Sequence, residues 1–561
     1  MFELTLLYNK SNHFGISKDV DGIVSAIKSL GCAIKHSDPL EPPHQSDITI
    51  HLEVPSYCWM PWAPVNILMV NPEWFESAWI PYMSRFQYVI YKDAQSAAAA
   101  IAAGHVAAEQ VRIVPWGVAQ PTPSTSKVAK GTADTGFVWF LGNSKNKRSY
   151  VSKLLPLWRE EYPPLRIYTV ESLDLSGSQP SNVRLEVRDL DATMREGLAE
   201  FFRGHVCCSD AEGFGYTAAE AEWNGAYTLL NHLNCYTADY ADQEGAAFIG
   251  DQKSLDAAIK EFEATDFETL DVRRKAAAKK RYQSFLETMK RIVAEAYAAK
   301  GLKPLTLPPI LQKDDCPPIS IITLTYNRRK FFDLACHNIL ASDYPKSKIE
   351  WIIVEDSDDP MEAASDIITS VANASDAINI VYIPLAKKTS VASKRNIGVK
   401  KATADIILMM DDDDHYPETS FRRRVAWLTK HPWKPKAVAA TTIACYDLIK
   451  GISAVNVPPT NLSLGQRISE ATLTFYKSWW AERGFPIAVQ VGEGEEFVAG
   501  RESDVLEIPP QQAIVAFSHG KNVSSRRIPS GAEVKPGCFW NFPKEFLVFV
   551  HGLAGVKIVQ E

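Results

Sequence analysis

A proline-dense stretch near the middle of the chain, GLKPLTLPPILQKDDCPP, constrains the fold more than any other feature. Pro304, Pro308, Pro309, Pro317 and Pro318 remove backbone donors and restrict the residues before them, so 301–316 reads as a linker. Short apolar runs alternate with helical patterns on both sides of it. FELTLLY, ITIHLEV, VNILMV, YVIYK, VRIVPWGV, FVWFLGN, LRIYTV and HVCCSD precede it; ISIITLTYN, WIIVED, INIVYIP and DIILMM follow. Interleaved with segments such as DVDGIVSAIKSLG, these runs predict βα units around mostly parallel sheets, an α/β fold class in both halves. The stretch 253–300, rich in Ala, Glu, Lys and Arg, reads as helix. A milder Ser/Thr/Pro/Gly break from Ala119 to Gly136 divides the first half into lobes of about 1–118 and 131–300.

With 561 residues, two or three domains are expected rather than one core. Hydrophobic residues at 46% and charged residues at 23% are the balance of a globular chain. A net charge of −7 without a Lys/Arg block argues against a nucleic-acid partner. Nine scattered cysteines form no C-x-x-C pair, so reduced thiols in a cytoplasmic protein are expected. MFELTLLYNK lacks the basic flank and longer apolar core of a signal peptide, and no apolar run approaches the ~20 residues of a transmembrane segment.

The chemistry concentrates where the run IILMM empties into Asp411, Asp412, Asp413 and Asp414. Carboxylates at the C-terminal end of a strand lie where open α/β sheets bind ligands. Adjacent carboxylates repel unless a cation sits between them, which points to Mg2+ or Mn2+; a solvated acidic turn is the alternative. An EF-hand loop fits poorly, since Tyr416 stands at its glycine position and Arg422 at its closing glutamate.

Four elements in order over about 100 residues, ISIITLTYNRRKFF, WIIVEDSDD, SVASKRNIGVKK and the aspartates, resemble family 2 glycosyltransferases of the GT-A fold. The resemblance implies that Thr325, Tyr326 and Asn327 form a donor loop and that Glu355 and Asp356 read the nucleotide base. It makes Arg395, with Asn396 and Gly398, a basic helix start, and Asp411 to Asp413 the D-x-D element. Asp411 and Asp413 then hold the metal, with Asp412 beside the donor. A nucleoside diphosphate leaving group gains negative charge as the sugar bond breaks, and a divalent ion with Arg395 stabilises it. The donor implied is a UDP-sugar and the acceptor a glycan.

An inverting transfer also needs a base for the acceptor hydroxyl. The family's G-E-D-x-x-F pattern becomes GEGEEF here, with Gly494 in place of the aspartate, leaving Glu493 or Glu495 to supply the carboxylate. His519, after the run AIVAFS, is a candidate third metal ligand by the same resemblance. Trp479, Trp480, Phe485 and Phe497 suit sugar rings or core packing.

In the first half, HVCCSDAEGFGYTAAEAEWNGAYTLLN carries a strand, a glycine turn and a helix. Gly213 and Gly215, flanking Phe214, let backbone amides approach a ligand, and the helix N-terminus favours phosphate. With Glu212 and Glu220 eight residues apart, this resembles the E-x7-E element of retaining GT-B glycosyltransferases of family 4. By that match Glu212 lies near the donor sugar and Glu220 binds the ribose. A Rossmann fingerprint also fits Gly213, Gly215 and Ala218, but the next strand ends in Asn231 rather than an acid. Lys145, Lys147 and Arg148, after FVWFLGN, offer cations for the diphosphate. NPEWF, 71–75, lines the cleft or packs.

The fold expected is thus a GT-B-like pair of Rossmann-type lobes at 1–300, followed by a GT-A domain at 317–561. The function expected is a tandem glycosyltransferase using nucleotide-sugar donors and a glycan acceptor, its C-terminal module metal-dependent and inverting, its N-terminal module retaining. The alternative is a single-activity GT-A enzyme whose N-terminal half binds glycan or nucleotide without catalysis. A metal-dependent phosphohydrolase built on the aspartates is a third class.

Overall fold

The apolar runs become strands because their side chains are buried on both faces, as throughout 65–70 and 349–355. The computed structural model describes residues 2–12, 15–121, 134–173, 180–299, 307–374, 377–489, 492–519, 522, 537–538 and 540–556. The first sheet contains β1 (Glu3–Leu7), β2 (Ala33–Ser37), β3 (Ile48–Glu53), β4 (Val65–Val70), β5 (Tyr88–Tyr91) and β6 (Val111–Ile113). Its order is β2-β1-β3-β4-β5-β6, every pair parallel. The second contains β7 (Asp134–Gly142), β8 (Leu165–Thr169), β9 (Val183–Val187), β10 (Phe202–Val206), β11 (Tyr227–Leu230) and β12 (Ala246–Phe248). It too is wholly parallel, in the order β12-β11-β10-β7-β8-β9.

After the proline stretch come β13 (Ile319–Thr325), β14 (Ile349–Glu355), β15 (Asn379–Pro384), β16 (Ile406–Met409) and β17 (Ala437–Ala439). They are followed by β18 (Ile443–Asp447), β19 (Ile452–Asn456), β20 (Thr474–Tyr476), β21 (Val505–Glu507) and β22 (Val515–Ser518). The main sheet runs β15-β14-β13-β16-β20-β17-β21, antiparallel only where β20 meets β16 and β17. A small sheet, β19-β18-β22, sits beside it. The fold is α/β with mostly parallel sheets.

The helical stretch 253–300 is two helices, Gln252–Ala264 and Phe267–Ala299, because Thr265 and Asp266 interrupt it and Asp266 caps the second. The long helix returns to the first sheet, where Phe285, Met289, Ile292 and Ala296 pack with Leu4, Ile23 and Trp116. A Cβ on Gly117 would lie 2.8 Å from the Tyr282 backbone, so this return needs glycine. The proline stretch is not free over its described part: Leu311 and Cys316 join the core of the following domain, and Arg422 donates to the Leu311 carbonyl at 2.6 Å. The expected hinge at 119–136 lies mostly outside the described residues.

The first lobe docks on the C-terminal domain. Tyr57, Met60, Trp79 and Tyr82 share one apolar cluster with Leu464, Ile468 and Phe475. Inside this joint Tyr82 Oη donates to Glu507 at 2.9 Å and Arg467 pairs with the same carboxylate at 3.0 Å. Among the described residues no helix is long and apolar enough to cross a membrane.

Candidate active site

Adjacent strands β14, β13 and β16 run parallel, and their carboxyl ends open onto one crevice. Thr325 closes β13 and is buried; Tyr326 and Asn327 follow. Asn327 has φ 48°, a left-handed turn that asparagine tolerates, and its Nδ2 donates to Asp358 at 2.6 Å. Tyr326 Oη donates to the same aspartate at 3.0 Å.

Glu355, at the end of β14, is consumed by its surroundings. It accepts from Ser357 at 2.7 Å, the Ala364 amide at 2.9 Å and Tyr382 at 2.7 Å, which fixes the loop after the strand. Asp356 is buried and accepts from the Thr389 amide at 2.7 Å and from Lys394 at 2.6 Å. The helix carrying Lys394 and Arg395 begins earlier than the basic pair, at Val391 with Ser390 as its cap, so Arg395 stands in the second turn rather than at the start. Gly398 lets this helix lie against β13, since a Cβ there would sit 2.7 Å from Ile322. Arg395 pairs with Glu493, both largely buried, and Asn396 accepts from Trp480 Nε1 at 2.8 Å. Of the four aromatics, Trp479, Phe485 and Phe497 form a core cluster, with Phe485 and Phe497 stacked at 3.9 Å.

β16 ends at Met409, and the aspartates leave it as a tight loop. Asp411, Asp413 and Asp414 each place a carboxylate oxygen within 4.8 Å of the others. His519 Nε2 lies 3.0 Å from Asp413 Oδ2, and Asp414 Oδ1 accepts from the Phe517 amide at 2.9 Å. Asp412 Oδ2 is buried with no hydrogen-bond partner among the described residues. Burial, with Asp413 adding to it and Arg328 opposing, pushes the Asp412 carboxyl up to about 7.

Three contributors are singled out by no sequence motif. Arg328 donates to Asp413 at 2.6 Å and to Asp412 at 3.1 Å, the counter-charge within the cluster. Lys394 was masked by its neighbour Arg395. Glu470, in the turn Glu470–Thr472, had no motif around it. A Cβ on Gly494 would lie 2.5 Å from Glu470 Cγ and Oε1, so Glu470 fills the volume beside Gly494. Glu493 is buried at the start of the helix Glu493–Val498, whereas Glu495 is half-buried.

In the first half, β10 ends at Val206, and the helix Tyr216–Trp223 follows Gly215 at φ 84°. Glu212 pairs with Lys147 at 3.4 Å. Glu220 pairs with Arg195 of its own lobe and Lys18 of the first lobe. Burial opposes ionisation, but Arg195 and Lys18 outweigh it and hold the Glu220 carboxyl at about 2. Arg148 is engaged by Glu171, and Lys145 is exposed. Phe214 is buried in the apolar core of the first lobe, away from solvent. Asn71, from NPEWF, meets Gly213: a Cβ there would sit 2.5 Å from its side-chain oxygen. Tyr216 also bonds Asp19 across the lobes, and Trp223 Nε1 donates to the Val118 carbonyl at 2.9 Å.

Comparison with known proteins bears on the C-terminal crevice. Residues 320–447 match the family model described as Glycosyl transferase family 2, so the chain carries a domain of that type. Over 113 residues it is 23% identical to the poly(ribitol-phosphate) beta-N-acetylglucosaminyltransferase TarS of Staphylococcus aureus, a match spanning 20% of this chain and 19% of that one. It is 25% identical over 112 residues to TuaG of Bacillus subtilis, named for teichuronic acid biosynthesis, covering 20% of this chain and 42% of the relative. The chain thus spans about a fifth of the first relative and under half of the second. Among solved structures, the mannosyltransferase PcManGT of Pyrobaculum calidifontis, in complex with GDP-Man and Mn2+, aligns at 17% identity and TM-score 0.30, covering 39% of this chain and 62% of that one. Residues 1–349 of S. aureus TarS with UDP-GlcNAc align at 17% identity and TM-score 0.28, covering 36% and 60%.

Proposed function

We propose that the protein transfers a sugar from a nucleotide-sugar donor to a hydroxyl of a glycan acceptor, with inversion, in the C-terminal crevice. The observation that carries this reading is the convergence of Asp411, Asp413 and Asp414 where adjacent parallel strands end, inside the matched family segment, with His519 beside Asp413. The residues present fit a divalent cation: three carboxylate oxygens converge, and a buried Asp412 oxygen lacks a partner among the described residues. Asp411 and Asp413 would hold Mn2+ or Mg2+, with His519 beside them. When bound, the ion neutralises charge developing on the diphosphate.

The remaining work falls to the chain itself. Thr325, Tyr326 and Asn327 shape the loop over the nucleotide. Asp356, fixed by Lys394, is placed to accept from a base N–H, uridine being the base proposed. Glu355 orients the loop that presents Asp356. Arg395 sets a guanidinium beside the leaving group and Glu493 holds it there.

The tandem reading, with a retaining transfer in the first half, draws support from Glu212 and Glu220 facing Lys147 and Arg195 behind a glycine turn. One observation favours a non-catalytic, ligand-binding or structural first half instead. Lys18 and Asn71 of the first lobe already occupy Glu220 and Gly213, so a donor would have to displace them.

The test is donor consumption by the full chain across UDP-, GDP- and TDP-sugars with Mn2+, Mg2+ or EDTA. One donor is expected to be consumed only with a divalent ion, and Asp413→Ala should lower its turnover roughly 10³-fold. Unchanged turnover in EDTA would overturn the metal assignment. Cleavage of simple phosphate esters with no donor bound would overturn the transfer itself.

A further inference from the structure

The crevice contains a carboxylate that no family motif assigns. We propose that Glu470, rather than Glu493 or Glu495, is the base that takes the acceptor proton, Gly494 being the position that makes room for it. The inference rests on the glycosyl-transfer reading above.

Three observations lead to it. Gly494 sits in the first turn of the helix Glu493–Val498, and its φ is not in the left-handed region. Glycine lowers helix stability there, so backbone geometry gives no reason for it. Space does: a Cβ at 494 would lie 2.5 Å from Cγ and Oε1 of Glu470 and 2.8 Å from its Cδ. The Glu470 side chain therefore stands where a side chain at 494 would begin. Second, Glu493 is committed to Arg395, a buried pair that would have to break before Glu493 could accept a proton. Among the described residues no other side chain hydrogen-bonds the Glu470 carboxylate.

Third, the Tyr416 hydroxyl and a backbone bond hold the turn that carries Glu470 against the acidic loop. The Asp411 amide donates to Tyr416 Oη at 2.8 Å, and Tyr416 donates to the Ala471 carbonyl at 3.1 Å. The Met409 amide donates to the Leu473 carbonyl at 2.9 Å. Glu470 thus stands within electrostatic reach of Arg395, Glu493 and Asp411. Burial raises its carboxyl above the ordinary range, Arg395 opposes, and Glu493 and Asp411 add to the rise, which suits a base.

In the step proposed, the acceptor oxygen forms its bond to the anomeric carbon as the bond from that carbon to the diphosphate oxygen breaks. The electron pair of the broken bond leaves with the nucleoside diphosphate. The acceptor proton passes to the Glu470 carboxylate, which later releases it to water.

The experiment uses the full chain, the donor the wild type consumes, and water as acceptor, following hydrolysis and, separately, donor binding by calorimetry with Mn2+. Glu470→Gln should bind that donor within about threefold of the wild type while its kcat falls 10²- to 10⁴-fold. Moving the carboxylate, Glu470→Ala with Gly494→Asp, should recover at least tenfold over Glu470→Ala alone. A Glu470→Gln enzyme within threefold of wild-type kcat would overturn the proposal, as would a swap that recovers nothing while binding donor normally. A wild type that neither binds nor consumes any donor would overturn the glycosyl-transfer reading itself, and the assignment of Glu470 with it.

Discussion

The two halves hold carboxylates of the same kind in opposite electrical conditions. In the N-terminal cleft Arg195 and Lys18 pull Glu220 down to about 2. In the C-terminal crevice burial and a neighbouring aspartate push Asp412 up to about 7, and one of its oxygens has no partner among the described residues. A carboxylate paired from two lobes closes a structure; aspartates crowded around a single arginine leave one short of charge. The difference teaches that like carboxylates at motif positions can meet opposite fates, one compensated across two lobes and the other left incompletely compensated.

Removing the closing charge in the first half tests that contrast most strongly. Because Glu220 titrates lower in the folded protein than the usual ~4.3 of an unfolded chain, its contribution is complete above that value and disappears as pH falls toward 2. Solvent screens the 41%-exposed Lys18 arm, so Glu220→Gln should cost about 2 kcal/mol at pH 7 rather than the full shift. Urea unfolding from pH 7 to pH 2.5 checks this: the gap between wild type and variant should narrow through pH 4. Donor turnover in the C-terminal crevice should stay within about twofold. A loss of that turnover above tenfold would break the comparison and tie Glu220 to the chemistry.

Much of this was legible in the sequence, for stated reasons. β13, β14 and β16 were visible because strands buried on both faces read as unbroken apolar runs, and Thr325, Glu355 and Asp411 were visible because they sit just past those runs. Glu470 was not, since its meaning comes from contact with Gly494 across 24 residues of chain, and spacing does not encode contact. Arg328, within NRRKFF, has no motif to single it out, and only the fold shows that it turns inward to Asp413. The division of labour between Lys394 and Arg395 was equally hidden, because only the helix start at Val391 decides which side chain meets Asp356 and which meets Glu493. The docking of Tyr82 and Trp79 on the second half depends on pairings 425 and 381 residues apart.

The incomplete compensation at the aspartates gives the next test. Arg328 Nη1 contacts Asp413 Oδ2, an oxygen a divalent ion would also use, so cation and guanidinium compete for it. Arg328→Met should lower the half-saturating Mn2+ concentration about tenfold, equivalent to about 1.4 kcal/mol, measured by calorimetry without donor. The ion-free variant should also unfold at lower urea, having lost its internal counter-charge. Weaker metal binding would show that Arg328 orients the carboxylates rather than competing for them.

The smallest effect is expected where the two halves meet. Glu507, buried in the joint, accepts from Tyr82 Oη at 2.9 Å, Thr441 Oγ1 at 2.6 Å and both terminal nitrogens of Arg467 at 3.1 and 3.0 Å. Tyr82→Phe removes one donor of this set and leaves the ion pair intact, and the ring still packs against Tyr57 at 3.9 Å. The hydroxyl also accepts from Arg467 at 3.1 Å; with Thr441 and Arg467 still on the carboxylate, its loss should lower the unfolding free energy in urea by about 1 kcal/mol. Because the hydroxyl spans the joint, the loss should appear in the transition of both halves together. If instead only the first half shifts, and Glu220→Gln likewise leaves the C-terminal transition untouched, the halves fold independently and the contrast between their sites reflects two separate units. A loss of about 3 kcal/mol or more would mean that the hydroxyl positions Arg467, leaving Glu507 as an unpaired buried charge when it is removed.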